Sequence, residues 1–201
     1  MPISLQKGQR ISLSKEAPGL TCLICGLGWD VAERSGGGFF SKFGKSEEEC
    51  DLDAFIVCLN SANKLTDPKN IVYFGNLQHP SGSIVHQGDN RDGAGDGDDE
   101  VIIVNLPTIP SEIEKLVFVV NIYDSKTRKQ DFAQIKNAFV RLVDASTNKE
   151  LARYDLSGKE YVGMTGMVMA EVYRHNQEWK MAAIGNGTSV NGIGELVQAY
   201  V

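Results

Sequence analysis

The sequence predicts a mainly β protein, an antiparallel β-sandwich of two sheets with a few short helices. Three observations carry that expectation. About ten short apolar runs rich in Val, Ile and Phe recur along the chain, bounded by Gly, Asn, Asp and Pro. Helical periodicity is scarce, so most neighbouring runs lack the helical crossover that a parallel sheet needs. Two tight polar turns read as hairpins, one around Asn148 in "VDASTNKEL" and one around Asn176 and Gln177 in "YRHNQEWK".

In chain order the strand candidates are "RISL" (10–13), "LTCLICGLGW" (20–29), "DAFIVCLN" (53–60), "IVYFG" (71–75) and "SIVHQ" (83–87). They continue with "EVIIVNL" (100–106), "KLVFVVNIYD" (115–124), "AFVRLVDAS" (138–146), "ELARYDLS" (150–157), "GMVMAEVYRH" (166–175) and "EWKMAAIG" (178–185). Ser111 and Glu114 in "PSEIEKL" have capping-box spacing and predict a short helical turn. "DFAQIKNAF" can hold another. In "NGIGELVQAYV", Ile193, Leu196, Val197 and Tyr200 fall at i, i+3, i+4 and i+7, the stripe of one helix face.

The 201 residues suffice for one domain with a sizeable core, and no linker or internal repeat divides residues 1–201. With 42% hydrophobic and 23% charged residues the composition is that of an ordinary globular protein. No apolar run approaches the roughly 20 residues of a membrane-spanning helix, and "MPISLQKGQRISLSK" has no signal-peptide core. The expected compartment is the cytoplasm. A net charge of −6 without a basic stripe argues against nucleic acid.

Cys22 and Cys25 form a C-x-x-C, but Cys50 and Cys58 are too far apart to complete a zinc ribbon. In a strand, residues three apart point to opposite faces, so the reading as small buried hydrophobes is preferred to a metal or redox pair. Residues 32–50, "AERSGGGFFSKFGKSEEEC", read as a glycine-rich loop insertion, with Phe39, Phe40 and Phe43 as anchors or as a contact patch.

The charge is concentrated in one place. Between Gly88 and Glu100, six acids face only Arg91, a local net charge of −5. Asp89 to Glu100 has the length of an EF-hand loop. Arg91, Gly93 and Ala94 stand where such a loop needs an oxygen ligand, another oxygen ligand and glycine, and both flanks are β-like. A calcium roll would need tandem copies. Two readings remain: a solvated charge run, or a non-EF calcium loop on a β scaffold. Crowded carboxylates favour bound cations, and the four glycines allow backbone carbonyls to join the six to eight oxygens that calcium takes. Asp30 closes "CGLGWD", and Asp51 and Asp53 share one face of "DLDAFIVCL", so three segments can contribute acids if these strand ends converge.

The loop "GDNRDGAGDGDDE", with "GLGWD", "DLDAFIVCLN", "NAFVRLVDASTNKELARYDLS" and "EVYRHNQEWKMAAIGNG", resembles the TerD family, the tellurite-resistance and stress-response domain. The likeness runs in order along essentially the whole chain. It implies a two-sheet β-sandwich with a calcium site for one or two ions at one end. By matching positions it implies metal ligands at Asp30, Asp51, Asp53, Asp89, Asn90, Asp98, Asp99 and Glu100, while Asp92 and Asp96 fall in a variable spacer. Residues 32–50 are longer than the family's usual link. Relatives imply partners in stress complexes at the cytoplasmic face of the membrane, with peripheral membrane association. Some are described as binding cyclic AMP, the alternative reading, although no phosphate-binding arginine and glycine cradle is evident here.

Catalysis is not expected. His79, His86 and His175 lack motif partners, and no G-x-S-x-G, P-loop or H-E-x-x-H is present. The expected mode of action is binding.

Overall fold

The computed structural model describes residues 3–31, 51–88, 97–155, 161–176 and 178–201. Among these, twelve strands form two six-stranded sheets. The strands are β1 (Ile3–Ser4), β2 (Arg10–Ser12), β3 (Cys22–Val31), β4 (Leu52–Leu59), β5 (Ile71–Val72) and β6 (Ile84–His86). The remainder are β7 (Glu100–Asn105), β8 (Lys115–Ile122), β9 (Ile135–Asp144), β10 (Lys149–Asp155), β11 (Gly166–His175) and β12 (Glu178–Thr188). The first sheet has the order β1-β10-β9-β3-β7-β6 and the second β2-β12-β11-β8-β4-β5. Every neighbouring pair is antiparallel except β1 with β10. The predicted sandwich is therefore the observed one.

Period-two alternation decides which side chains fill the space between the sheets. Leu23, Cys25, Leu27 and Trp29 point inward from β3. They meet Leu52, Ile56 and Cys58 from β4 and Leu116, Phe118, Val120 and Ile122 from β8. The C-x-x-C splits as alternation requires, with Cys25 in the core and Cys22 half-buried. Burial pushes the Cys58 thiol up to about 12. It raises Cys25 as well, with the Asp98 charge as a second cause.

The second sheet also buries part of its outer face. Phe55, Val57 and Leu59 of β4 pack with Val117 and Val119 of β8 beneath a short helix α3 at Ile193–Val197. Leu196, Val197, Ile193 and Tyr200 all join this cluster, which is the stripe read from the sequence. Both hairpin turns are present, with Asn148 and Asn176 at φ 54° and 52°, the left-handed region that asparagine tolerates.

The expected helix at Ser111–Glu114 is a turn instead. The Glu114 backbone N–H bonds to Leu59 O and its carbonyl accepts from Arg174 N, so the growing sheet has already claimed it. "DFAQIKNAF" holds only a 3-10 turn at Phe132–Gln134 before β9 begins. Two short helices without a clear sequence signal, α1 (Leu13–Glu16) and α2 (Ser125–Arg128), cap strand ends. "IVYFG" yields strand only at Ile71–Val72, because Tyr73 and Asn76 close a tight bridge. Among the described residues no helix is long and apolar enough to cross a membrane.

Candidate functional site

The two outward glycines of "CGLGWD" form a seat on β3. Leu27 and Trp29 point into the core, so Gly26 and Gly28 point to the outer face of the first sheet. The segment preceding β7 crosses that face directly. A Cβ on Gly26 would stand 2.2 Å from Asp98 Cγ, and one on Gly28 would stand 2.5 Å from the Gly97 carbonyl and from the Phe139 ring. Only glycine leaves room for this approach.

Asp98 is clamped where it lands. Arg141, paired with Gly26 across β9 and β3, donates from Nε to Oδ1 at 2.7 Å and from Nη2 to Oδ2 at 3.0 Å. The bidentate fork is the strongest geometry available to this ion pair. Arg141 Nη1 also reaches Glu150 at 3.4 Å, which ties β9 and β10 to the same anchor.

Asp99 extends the β3–β7 ladder beyond its last backbone rung. Its N–H donates to Leu27 O at 2.8 Å, and its Oδ2 accepts from Trp29 N at 2.8 Å. The carboxylate stands in for the carbonyl that a continuing strand would have supplied.

Glu100 does something different again. It begins β7, faces the space between the sheets and is 1% exposed. On β4, β5 pairs only with Ile56 and Val57, so Ala54 lies beyond its end. Glu100 Oε2 takes the Ala54 N–H at 2.5 Å, and His86 Nε2 meets the Ala54 carbonyl at 3.2 Å. His86 Nδ1 accepts from Gly88 N at 3.2 Å. A carbonyl only accepts and a backbone N–H only donates, so these partners fix the Nε2–H tautomer. Two side chains of the first sheet thus close an open edge of the second.

Asp53 follows the alternation of β4 to the outer face of the second sheet. It is opposite Asn121 of β8, whose Nδ2 donates to Asp53 Oδ2 at 3.3 Å. Asp51 lies just before the strand, with its Oδ2 3.9 Å from Arg128 Nη1 on α2. The backbone of Asp30 belongs to β3 beside Trp29. Asp89 and Asn90 lie outside the described residues.

The structure therefore brings the starts of β4 and β7 to one end of the sandwich and distributes their carboxylates over three layers. Asp98 is on the outer face of the first sheet, Glu100 is between the sheets, and Asp53 is on the outer face of the second. Among the described residues no three acidic, His or Cys side chains group tightly enough to hold a metal ion by themselves. His79, 4% exposed, bonds Ser81 and Asn70 through its two nitrogens, as expected of a structural histidine, and burial lowers its pKa. Sequence reading did not find Arg141 or Asn121. Their partners lie 43 and 68 residues away, and no local pattern links either to its partner, although Arg141 falls within the family-like stretch "NAFVRLVDASTNKELARYDLS".

A family model described as "TerD domain" matches residues 1–200. The chain is 50% identical over 202 residues to "Stress response protein SCP2" of Bacillus subtilis (strain 168), covering 100% of both. It is 42% identical over 200 residues to "Tellurium resistance protein TerD" of Serratia marcescens, covering 100% of this chain and 97% of that one. A crystal structure described as a homologue of telluride resistance protein (TerD) from Streptomyces coelicolor A3(2) superposes with a TM-score of 0.65 at 18% identity. The overlap covers 86% of this chain and 92% of that chain, a likeness of fold.

Proposed function

The chain belongs to the TerD domain family, and from that premise we propose that it is a calcium-binding stress-response protein that works by binding rather than by catalysis. The observation that carries the reading is the clasp of Glu100 and His86 on Ala54. It holds the acid-bearing starts of β4 and β7 together, with Gly88 and Gly97, the two ends of the acidic segment, at the same end of the molecule.

The donor chemistry at this end suits a hard cation. The acids offer oxygen, and both nitrogens of His86, the one imidazole there, are engaged with backbone. Asn121 Oδ1 on β8, across from Asp53, and Ser125 Oγ on α2, the helix whose Arg128 reaches Asp51, are buried oxygens without a hydrogen-bond partner among the described residues. Calcium at this end, as one ion or two, would draw its ligands from Asp51, Asp53, Asp99 and Glu100, joined by Asp30, Asp89 and Asn90, rather than from all of them around a single ion. Asp98 is matched to the family motif as a ligand, but both its oxygens already accept from Arg141. Its part is to pin the segment in place. When bound, calcium supplies the positive charge that crowded carboxylates lack.

The names of the relatives support the stress-response part of the reading. Action in the cytoplasm, with stress-complex proteins at the membrane face, is part of the same proposal.

Titration calorimetry with calcium, magnesium and cyclic AMP tests it. Calcium binds and magnesium binds more weakly, because magnesium demands a small near-octahedral shell. Cyclic AMP gives no heat. At about a hundred times its dissociation constant, calcium adds roughly 2.7 kcal/mol of stability. Identical melting in calcium and in chelator would overturn the reading.

A further inference from the structure

Past the outer apolar cluster of the second sheet, a cleft of about 360 Å³ opens over the Asp53–Asn121 pair. Tyr73, Phe74 and Tyr123 line it, with Asp124 also in its wall. The rings form a connected edge-to-face set, with centroids 5.2 Å apart for Tyr73 and Phe74 and 6.4 Å apart for Phe74 and Tyr123. Phe74 and Tyr123 remain 40% and 45% exposed. Asp53 and Asn121 are 4% and 1% exposed. The Asn121 side chain gives its Nδ2 to Asp53, and its Oδ1 has no hydrogen-bond partner among the described residues. The described lining contains two carboxylates and no Lys, Arg or His.

We propose that this cleft binds a small aliphatic amine or guanidine, a cation with N–H donors at one end and a methylene body. A buried amide oxygen without a partner is costly, so in the calcium-free protein an occupant that brings an N–H or O–H to Asn121 is favoured. Asp53 beside it favours a donor that carries positive charge. Aromatic faces attract such cations and pack well on methylenes. Tyr123 already shows this chemistry, with the Arg128 guanidinium 5.3 Å from its ring centroid. An anion would meet Asp53 and Asp124, and an apolar molecule would leave Asn121 unsatisfied. Calcium accounts for oxygen ligands but gives no use to three ring walls. The volume lies in the range of small-ligand sites.

The full chain is titrated with diaminobutane, agmatine and neutral butanediol, both calcium-free and calcium-saturated, beside Asp53→Asn and Phe74→Ala. The calcium-free protein binds diaminobutane or agmatine with one-site saturation, at least about ten-fold tighter than butanediol. Asp53→Asn removes that preference. Phe74→Ala weakens the cation about five-fold while leaving calcium affinity unchanged. No saturable binding of either cation in either state overturns the proposal. So does equal affinity for butanediol, or an unchanged affinity in Phe74→Ala. Because the calcium-free arm does not depend on the metal and Phe74 offers it no ligand, failure of this proposal and failure of the calcium reading are separable.

Discussion

Arg141 grips Asp98 with two parallel hydrogen bonds, at 2.7 and 3.0 Å, across the bare backbone of Gly26. The pair joins residues 43 positions apart and fixes where the acidic segment re-enters the fold. Without it, the hydrogen bonds of Asp99 to Leu27 O and from Trp29 N would be left to hold this stretch, among the bonds described.

A double-mutant cycle measures that grip. The Arg141 side chain is 32% exposed and Asp98 10% exposed, so solvent screens part of the attraction. The bidentate geometry keeps the coupling near 1 kcal/mol. Urea unfolding of Arg141→Met, Asp98→Asn and the double variant should therefore give losses that do not add. Strictly additive losses would show that the two residues act independently.

Two glycines make an opposed pair. Gly26→Ala places a methyl against Asp98 Cγ at 2.2 Å, and neither the strand nor the clamped carboxylate can yield cheaply. We expect a loss of about 1–3 kcal/mol, as for overpacked sites. Gly194 lies exposed inside α3 with nothing near its missing Cβ. Gly194→Ala should raise stability by about 0.5–1 kcal/mol through helix propensity. Thermal melts of both variants decide it, and a stable Gly26→Ala would remove the seat from the account.

Much of this architecture was legible because alternation is a local property. β11 begins and ends where the sequence placed it, at Gly166 and His175, and the stripe Ile193, Leu196, Val197 and Tyr200 packs as read. The capping box at Ser111 and Glu114 misled because Leu59, far away in sequence, claims the Glu114 N–H. The site was legible as composition but not as geometry. Alternation puts Asp53 and Leu52 on opposite faces of β4, yet it cannot say which face meets the other sheet. It likewise cannot say that the segment 97–99 returns over β3, so the purpose of Gly26 and Gly28 was invisible until that segment was placed.

Acid should weaken the first sheet through Asp144. The Ser146 hydroxyl donates to it at 2.7 Å, the Ser146 N–H at 2.9 Å and the Thr147 hydroxyl at 2.8 Å. These bonds, the Ser146 hydroxyl foremost, hold its carboxyl below the ordinary range against the opposing effect of burial. A carboxyl depressed in the folded state contributes stability that is complete above its unfolded pKa, about 3.9, and is lost as pH falls below that toward the folded value. Asp144→Asn should flatten the stability curve in that window and leave its slope near neutrality unchanged. Chemical denaturation across mildly to strongly acidic pH would show it, and parallel curves for parent and variant would refute it.

The calcium reading divides the acids by what already holds them. Asp99 gives one oxygen to Trp29 N, a neutral donor that orients the carboxylate without cancelling its charge. Asp98 gives both oxygens to a guanidinium. An ion drawn to this end should therefore depend directly on Asp99 and only through positioning on Asp98. Asp99→Asn keeps the shape and the acceptor but removes the charge, and should weaken calcium binding at least about ten-fold, or roughly 1.4 kcal/mol. Asp92→Asn makes the same change in the variable spacer and should matter least. Arg141→Met is the informative third variant. If Asp98 were itself a ligand, removing the competing arginine would tighten calcium binding. If Asp98 pins the segment, Arg141→Met and Asp98→Asn should weaken binding alike, and the double variant should be no worse than either. Calorimetric titration of the five variants separates these outcomes, and tighter binding in Arg141→Met would return Asp98 to the ligand set.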